Sequence, residues 1–412
     1  MEKVGEKQAL AWLDSARDGW DVDDVEAWLY EGRKLGPGLM VALEQMQDRP
    51  QTAFRSRGIT IALNRFVENA NAPYFPFFWD PHPAVRSSRE LQNLPLSTRS
   101  IRIDAAIDPA EASKTAEGLR RLTSLESLWI CGPNQAEILQ SVRAASIKNL
   151  IVESGRVKNY NLGMLTRFRY VEYLQVFAES YGRFDALAGL QQLKSLLLQG
   201  AVSDLHFLNG LDHLRYLRLK GFKAEVFNPL SALPHIEALY LDSPAKLNDL
   251  AQIKACLPKL VELGLWDARL LEDVSELHKA SKLKKLKIHG LPKVVDLSAL
   301  NRMGQLSDLR LSKCSKLAKV EFIKNLGGVV HLEFSSMLPL PSLSVLTPLQ
   351  KLKRLNIVGT KIKDKSYRPL HPLKKLLVLD GWRLSDSEID ALRKSVPHLV
   401  FNGQPSWQEQ HG

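Results

Sequence analysis

A short motif of the form L-x-x-L-x-L recurs along most of the chain, and its spacing constrains the fold more than any other feature. Twelve matches in register indicate a repeat architecture, in which each unit is one supersecondary element stacked on its neighbours. Weaker units are predicted at 98–104 and 396–403, one at each end. The twelve motifs, 21 to 24 residues apart, begin at Leu125, Ile147, Val171, Leu193, Leu214, Ile236, Leu260, Leu283, Leu306, Val329, Leu352 and Leu373.

The spacing inside each motif predicts a short strand. In the unit that begins at Leu214, Leu217 and Leu219 are two residues apart, so they point to the same side of a strand. The residues around them, such as Tyr216 and Arg218, point to the other side and are expected to be exposed to solvent. Stacked parallel strands would bury the leucines and align the intervening residues in columns on a concave face. The second half of each unit, for example 296–306, carries leucines suited to a short helix or 3₁₀ turn on the convex side.

The motif and its period resemble leucine-rich repeats, and the units are similar to those of bacterial internalins. The resemblance covers roughly 98–403. It implies an α/β fold, a leucine-rich repeat solenoid with parallel β-strands on its concave face. One departure is that internalin-type repeats usually have an asparagine after the strand, which forms a hydrogen-bonded ladder. We therefore expect less regular units, with turns satisfied by other backbone or water contacts. The equivalent positions here include Gly155, Ala201, Phe222, Ala268, Cys314 and Thr360.

The chain is predicted to have three parts: a helical N-terminal cap region over 1–95, the solenoid over 96–403 and a flexible tail over 404–412. Apolar spacing such as that of Leu10 with Leu13 predicts three or four helices in the first 70 residues. The aromatic segment 72–83 is interrupted by prolines, and we interpret it as packing between cap and solenoid, with a ligand groove as the alternative. Residues 385–403 predict a last helix and strand.

Composition restricts the class of protein. The chain has 412 residues, of which 45% are hydrophobic and 25% charged, which is enough to build a large core. Its three cysteines are widely spaced and odd in number, so a disulfide framework is not expected. The first residues are charged and no apolar run of about 18 residues follows anywhere, so neither a signal peptide nor a membrane span is expected. The expected localisation is cytoplasmic, or export by a system that does not depend on a signal peptide.

No catalytic motif is recognisable, so the chain is not expected to be an enzyme. It has no phosphate-binding loop, no H-E-x-x-H and no G-x-S-x-G sequence. Cys131, Cys256 and Cys314 are predicted to be small buried residues. No catalytic residue, metal ligand or cofactor is predicted. A weak enzyme in the N-terminal helices is left as an alternative.

The predicted binding site lies on the concave face, at the positions between the leucines. Aromatic residues gather in the middle repeats with one arginine among them, and a basic sector follows. Tyr, Trp and Arg are the residues that most often anchor protein interfaces. The alternative is that neighbouring aromatic side chains shield one another. The predicted partner-binding residues are Tyr173, Phe177, Tyr216, Arg218, Tyr240, Trp266, Lys287, His289 and Arg310.

Charge suggests the chemistry of the partner. The net charge is +11, but residues 281–380 alone hold 20 Lys and Arg against 6 Asp and Glu, a local excess of +14. This favours a partner with an acidic surface, either protein or nucleic acid. The alternative is that the lysines only make the surface of the repeats soluble. Asp308 and Glu333 interrupt the basic sector of the concave face and would repel phosphate. A protein is therefore expected, nucleic acid is the less favoured possibility, and the oligomeric state is left open.

These observations together predict a non-enzymatic, protein-binding scaffold. Since the chain consists of repeats and a cap, without an output domain, we favour a cytosolic inhibitor or immunity-type protein that neutralises a toxin or enzyme through its concave face. The alternatives are an effector or adaptor delivered into another cell, and an RNA-binding scaffold.

Overall fold

The structure is a computed structural model that describes residues 84–103, 111–131, 135–317, 319–381, 384–397 and 399–402. The helices predicted in the first 70 residues, the aromatic segment 72–83 and the tail 404–412 lie outside the described residues. The three-part division of the chain therefore stays a prediction.

A single parallel sheet runs the length of the described chain, and each strand pairs with the strand of the next repeat. Only β5 departs from this order, because it pairs with β6 at one side. The strands are β1 Ala84–Val85, β2 Ser100–Ile103, β3 Ser127–Cys131, β4 Asn149–Glu153, β5 Tyr160–Asn161, β6 Tyr173–Gly182, β7 Ser195–Val202, β8 Tyr216–Phe222, β9 Ala238–Asp242, β10 Glu262–Trp266, β11 Lys285–His289, β12 Asp308–Ser312, β13 His331–Ser335, β14 Arg354–Asn356, β15 Val378–Asp380 and β16 Val400–Asn402.

The other side of each repeat is helical, mostly in short 3₁₀ form. Among the described residues, four segments are α-helical: α1 Ser88–Asn93, α2 Ala112–Arg121, α3 Gln135–Ser141 and α4 Asp386–Ser395. The 3₁₀ helices are Ala144–Ser146, Leu162–Leu165, Phe184–Gly189, His206–Gly210, Asn228–Ala232, Leu250–Ile253, Leu257–Lys259, Ser275–Lys279, Ser298–Arg302, Glu321–Asn325, Leu343–Leu346 and Arg368–Leu370.

The predicted α/β leucine-rich repeat solenoid is confirmed. Leu217 and Leu219 are fully buried, and one continuous core extends from Val85 to Leu399 between the sheet and the 3₁₀ helices. The weak terminal units form β2 and β16, and the predicted last helix is α4. The sheet also includes β1, which was not predicted and which lies within the range assigned to the cap region.

The register of one repeat was predicted wrongly. The last of the twelve motifs was placed at Leu373, which put Leu377 in the central outward column. In the structure Leu355 pairs with Leu379 and Asn356 with Asp380, so this motif begins at Leu376 and Asp380 occupies the column. Leu373 and Leu376 are both buried, because the last turn of the preceding loop also packs into the core. Apolar residues in both registers made the sequence ambiguous here.

Backbone hydrogen bonds replace the missing asparagine ladder. Immediately after several strands, a residue with positive φ turns the chain and donates its N–H to the last strand carbonyl of the next repeat. Asp267 donates to His289 O at 2.8 Å, and Lys313 donates to Ser335 O at 3.1 Å. In one turn a side chain also contributes and joins two neighbouring repeats. Thr360 Oγ1 donates to Phe334 O at 2.6 Å and accepts from Met337 N at 3.0 Å. The expectation of backbone-satisfied turns is confirmed.

The strand register makes a prediction about stability. Leu217→Ala should lower the free energy of unfolding by about 2–5 kcal/mol, because it removes buried methyl groups from a closely packed core. Lys220→Ala, at an exposed position of the same strand, should change it by less than about 0.5 kcal/mol. Chemical denaturation of both variants measures the difference, and a larger loss for Lys220→Ala would contradict the register.

Candidate binding surface

The strands place three columns of side chains on the concave face. The two leucine columns that alternate with them point into the core. The central column runs through Arg218, Tyr240, Gly264, Lys287 and Arg310, which are partners in successive strand pairs. The structure therefore places the predicted site residues on one face, in the predicted columns. That they bind a partner stays a prediction.

Three aromatic rings form a continuous stack across β8, β9 and β10, and we call Tyr216, Tyr240 and Trp266 the aromatic stack. The ring centroids of Tyr216 and Tyr240 are 5.3 Å apart, and those of Tyr240 and Trp266 are 5.5 Å apart. The fully buried Ala238 lies with Tyr216 and Tyr240 in this cluster, which is separate from the solenoid core. Such tilted ring pairs are stabilised beyond the area that they bury.

The expectation that Tyr216 is exposed to solvent is wrong. Tyr216 and Tyr240 are only 8% and 7% exposed, whereas Trp266 and Arg218 are half-buried. The two tyrosines shield each other because in-register parallel strands bring equivalent and diagonal positions within reach of a large ring. The alternative interpretation of the sequence, mutual shielding, is the correct one for these two residues. Burial also raises the pKa of the Tyr216 hydroxyl to about 12.

Gly264 provides the space that the aromatic stack occupies. A Cβ atom at this position would lie 2.2 Å from Tyr240 Cδ1 and 2.4 Å from Trp266 Cζ3. Any side chain would therefore displace one of the two rings. The glycine is a packing requirement of the concave face, since its neighbours in the column all carry large side chains.

Polar contacts join the aromatic stack to the charged residues that follow it. The Arg218 guanidinium lies 5.2 Å from the Trp266 ring centroid, within the range of a cation–π interaction. The Tyr240 hydroxyl donates to the buried Glu262 carboxylate, whose other oxygen is 2.8 Å from Lys285 Nζ. A chain of contacts thus connects β9, β10 and β11.

A second network surrounds Asp308, which is only 5% exposed. Arg310 donates two hydrogen bonds to its carboxylate, at 2.9 and 3.0 Å, and His331 Nδ1 lies 3.8 Å from it. Burial by itself raises the pKa of the Asp308 carboxyl, but its interactions with His331 and with the charge of Arg310 outweigh burial and hold that pKa well below its usual range. Asp308 is therefore ionised at neutral pH.

Lys287 lies between these two networks. Burial lowers the pKa of its ammonium group, and the nearby positive charge of Arg310 lowers it further, against the opposing effect of Asp308 and Glu262. Among the described residues, no ion pair or hydrogen bond of Lys287 is found. A half-buried cation that forms no ion pair is better satisfied when a ligand supplies an anion.

Three predicted site residues lie apart from this centre. Tyr173 and Phe177 are on β6, and β7 separates them from the aromatic stack. His289 lies at the end of β11, where its Nδ1 is 2.7 Å from Ser312 Oγ. The basic sector is also less positive than the sequence implies, because Glu262 and Asp308 pair with Lys285 and Arg310.

The sequence prediction omitted several residues that shape this face. Glu262 and Gly264 complete the centre, and charge alternation between Glu262 and Lys285 at equivalent repeat positions was a signal that could have identified the first. Gln175 and Ser195 lie on the same face and are buried, with an Oε1 and an Oγ atom that have no hydrogen-bond partner. No sequence signal distinguishes such residues from exposed polar ones.

The sequence analysis predicted that all three cysteines are buried, and the structure confirms this for only two of them. Cys256 and Cys314 are buried, and burial raises the pKa of both thiols to about 11, which keeps them protonated at neutral pH. Cys131 is half-buried, so the prediction is wrong for this residue; its Sγ lies 3.4 Å from Glu153 Oε2, at the carboxyl ends of β3 and β4. In the part of the chain that the structure describes, no cluster of three or more potential metal ligands is found.

Comparison with known proteins supports the fold assignment. No protein-family model matches the chain, and no curated protein matches its sequence. Among solved structures, an internalin of Listeria monocytogenes is similar, with 19% identity and a TM-score of 0.53 over 69% of this chain and 82% of that one. A leucine-rich repeat protein of Leptospira interrogans has 17% identity and a TM-score of 0.48 over 78% of this chain and 100% of that one.

A chain of the Toll–Spatzle complex of Drosophila is also similar, with 13% identity and a TM-score of 0.51 over 77% of this chain and 42% of that one. The protein has the leucine-rich repeat fold, and its solenoid resembles that of an internalin. The described residues include no helix that is both long enough and apolar enough to span a bilayer.

The crowding around Gly264 makes a prediction about the aromatic stack. Gly264→Ala should lower the free energy of unfolding by about 1–3 kcal/mol, because the added methyl group overlaps two rings. Gly304→Ala is the matched control, since a Cβ atom there meets no other heavy atom within 4 Å. It should change stability by less than about 1 kcal/mol. Chemical denaturation measures the free energy of unfolding of both variants. Equal losses would contradict the prediction, because they would show that the rings move aside without an energetic cost.

The environment of Asp308 predicts a pH dependence. Because its folded-state pKa is depressed, its stabilising contribution is complete above the unfolded-state pKa of about 3.9 and is lost as pH falls through the folded-state value. Asp308→Asn should therefore be less stable than the wild type at pH 5, where His331 and Arg310 both face the ionised carboxylate, and by a smaller amount near pH 3. Asp212→Asn, at an exposed turn, is the control and should show no such trend.

Proposed function

We propose that this protein is a non-enzymatic scaffold that binds another protein through its concave face. The observation that carries the proposal is the junction between the aromatic stack and the charged networks. Half-buried Trp266 and Arg218 lie beside half-buried Lys287 and Arg310 on one rigid sheet. This combination of aromatic and arginine anchors is typical of the centre of a protein interface. A Drosophila chain of similar fold is part of the Toll–Spatzle complex, which agrees with a binding role.

The anchors are preorganised, which favours tight binding. Ion pairs and ring contacts hold Arg218, Arg310 and Trp266 in place before any partner arrives. A partner therefore loses little side-chain entropy on this side of the interface when it binds. From β8 to β12 the surface spans four strand spacings, or about 19 Å, which is comparable with the width of a standard interface.

The proposed partner has an acidic group at the position that faces Lys287. Since Lys285 and Arg310 are already paired, the attraction is local rather than spread over the whole basic sector. We further propose the role of a cytosolic inhibitor or immunity-type protein, in which the curved sheet covers the functional surface of a toxin or enzyme. An effector or adaptor delivered into another cell is the alternative, and it uses the same face without blocking activity.

Truncation of Trp266 tests the site. Trp266→Ala should weaken partner binding by about 2 kcal/mol or more, roughly 30-fold in Kd, mainly through faster dissociation. Lys287→Met keeps the apolar stem, removes the charge and should reduce the salt dependence of association. The matched control is Trp129→Ala, an aromatic residue of the same central column on β3. Partners are captured with the full chain from the native organism, and calorimetry then measures affinity for each variant.

Two results would contradict parts of this proposal. Unchanged affinity in a folded Trp266→Ala variant, with a loss in Trp129→Ala, would move the interface to the N-terminal repeats. Addition of one equivalent of the chain to the captured partner should abolish that partner's activity. Full binding with unchanged partner activity would exclude the inhibitor role and favour an adaptor.

A further inference from the structure

Ion pairs between neighbouring repeats line both edges of the sheet in the first two thirds of the solenoid. At the edge before the strands, Lys148 pairs with Glu126 at 3.4 Å and Lys194 with Glu172 at 2.6 Å. At the edge after the strands, Lys158 pairs with Glu179 at 3.5 Å, Lys246 with Glu225 at 3.5 Å and Lys293 with Glu272. Each pair joins one repeat to the next and neutralises its edge.

Two later loops depart from this pattern. The loops that follow β12 and β14 carry six exposed lysines, and among the described residues none of the six forms an ion pair or a side-chain hydrogen bond. The only carboxylate in these two loops, 313–317 with 319 and 359–366, is Asp364, which accepts a hydrogen bond from Ser366 N at 3.0 Å. We call the six the lysine edge: Lys313, Lys316, Lys319, Lys361, Lys363 and Lys365.

The geometry of the sheet brings the two groups of lysines together. Both loops leave the carboxyl ends of parallel strands, so they lie on the same edge, and only β13 separates β12 from β14. At about 4.8 Å per strand, the two loops are about 10 Å apart. The loop between them, 336–342, has no charged residue. Backbone hydrogen bonds between Leu340 and the loop of Lys361 and Lys363, at 2.9 and 2.8 Å, hold this surface in place.

The composition of the lysine edge indicates the kind of ligand. Protein interfaces are depleted in lysine and enriched in arginine and aromatic residues. Among their described residues the three loops expose no Arg, Tyr, Trp or Phe, since Tyr367, the last loop residue before the 3₁₀ helix Arg368–Leu370, is buried. Lysine binds phosphate as a point charge, and without aromatic side chains there is no surface on which bases could stack. We propose that the lysine edge binds the phosphate backbone of a nucleic acid without reading its sequence. This surface is separate from the concave face and independent of the proposed protein partner.

The salt dependence of binding gives this proposal a quantitative form. A protein that contacts several phosphates of a duplex releases counterions, and log K falls with log salt with a slope of about −0.9 per phosphate. Four to six contacts therefore predict a slope of about −4 to −5. The full chain is titrated against a fluorescently labelled duplex DNA of mixed sequence, with anisotropy measured between about 50 and 200 mM salt.

A matched pair of variants separates the lysine edge from overall charge. Lys313→Gln, Lys316→Gln and Lys319→Gln are combined in one variant. The control combines Lys158→Gln, Lys194→Gln and Lys246→Gln, which removes the same charge from lysines that are ion-paired. The first variant should bind the duplex at least about 10-fold more weakly at low salt, with a slope reduced by about 2 to 3. The control variant should bind as the wild type does.

Three outcomes would overturn the proposal: no duplex binding by the wild type at low salt, an equal loss in the control variant, or an affinity that does not respond to salt. A separate measurement uses vesicles that contain phosphatidylserine. Binding to these vesicles without binding to the duplex would assign the lysine edge to an anionic membrane surface and reject the nucleic acid. Circular dichroism of each variant verifies that the solenoid remains folded.

Discussion

Hydrogen bonding between the strands of neighbouring repeats is the constraint on which the rest of this structure depends. A single repeat contributes one short strand and one 3₁₀ turn, which bury too little apolar surface to compensate for the entropy of ordering them. In-register pairing stacks the leucines of adjacent repeats into one core, and the residues with positive φ, such as Asp267 and Lys313, extend the ladder around the turn. Each repeat is therefore stable only when it is stacked on its neighbours. The asparagine ladder is dispensable because backbone N–H donors make the equivalent hydrogen bonds.

The same register determines the chemistry of the concave face. Equivalent positions of adjacent repeats lie next to each other, so large rings in successive strands stack and opposite charges pair. Tyr216 and Tyr240 become buried in this way, and Glu262 and Asp308 neutralise the cations beside them. The result is a surface whose anchors are already ordered. Lys287 stands out because the register places it between two networks whose carboxylates, Glu262 and Asp308, pair with other residues.

The solenoid presents two surfaces whose interactions differ in range and in salt dependence. The concave face offers aromatic and arginine anchors in a sheltered, partly dehydrated setting, where contacts are short-ranged and resist salt. The lysine edge offers exposed point charges whose attraction is long-ranged and weakens as salt increases. The concave face lies along the strands and the lysine edge lies in the loops that follow them, so separate sets of variants test the two surfaces.

Much of the fold could be predicted from the sequence, because leucine spacing reports directly which residues enter the core. The strand positions, the outward columns and the short convex helices all followed from this spacing. It failed at Leu373 and Leu376, where both registers are apolar and only pairing with Leu355 selects one.

The candidate site depended more on tertiary structure. The sequence by itself determined which residues share the concave face, since alternation along a strand requires it. It could not determine that Tyr216 is buried, that Gly264 is the gap into which two rings fit, or which lysines lack a carboxylate. Those properties depend on side chains about 22 residues away, which are brought within contact distance only when the repeats stack.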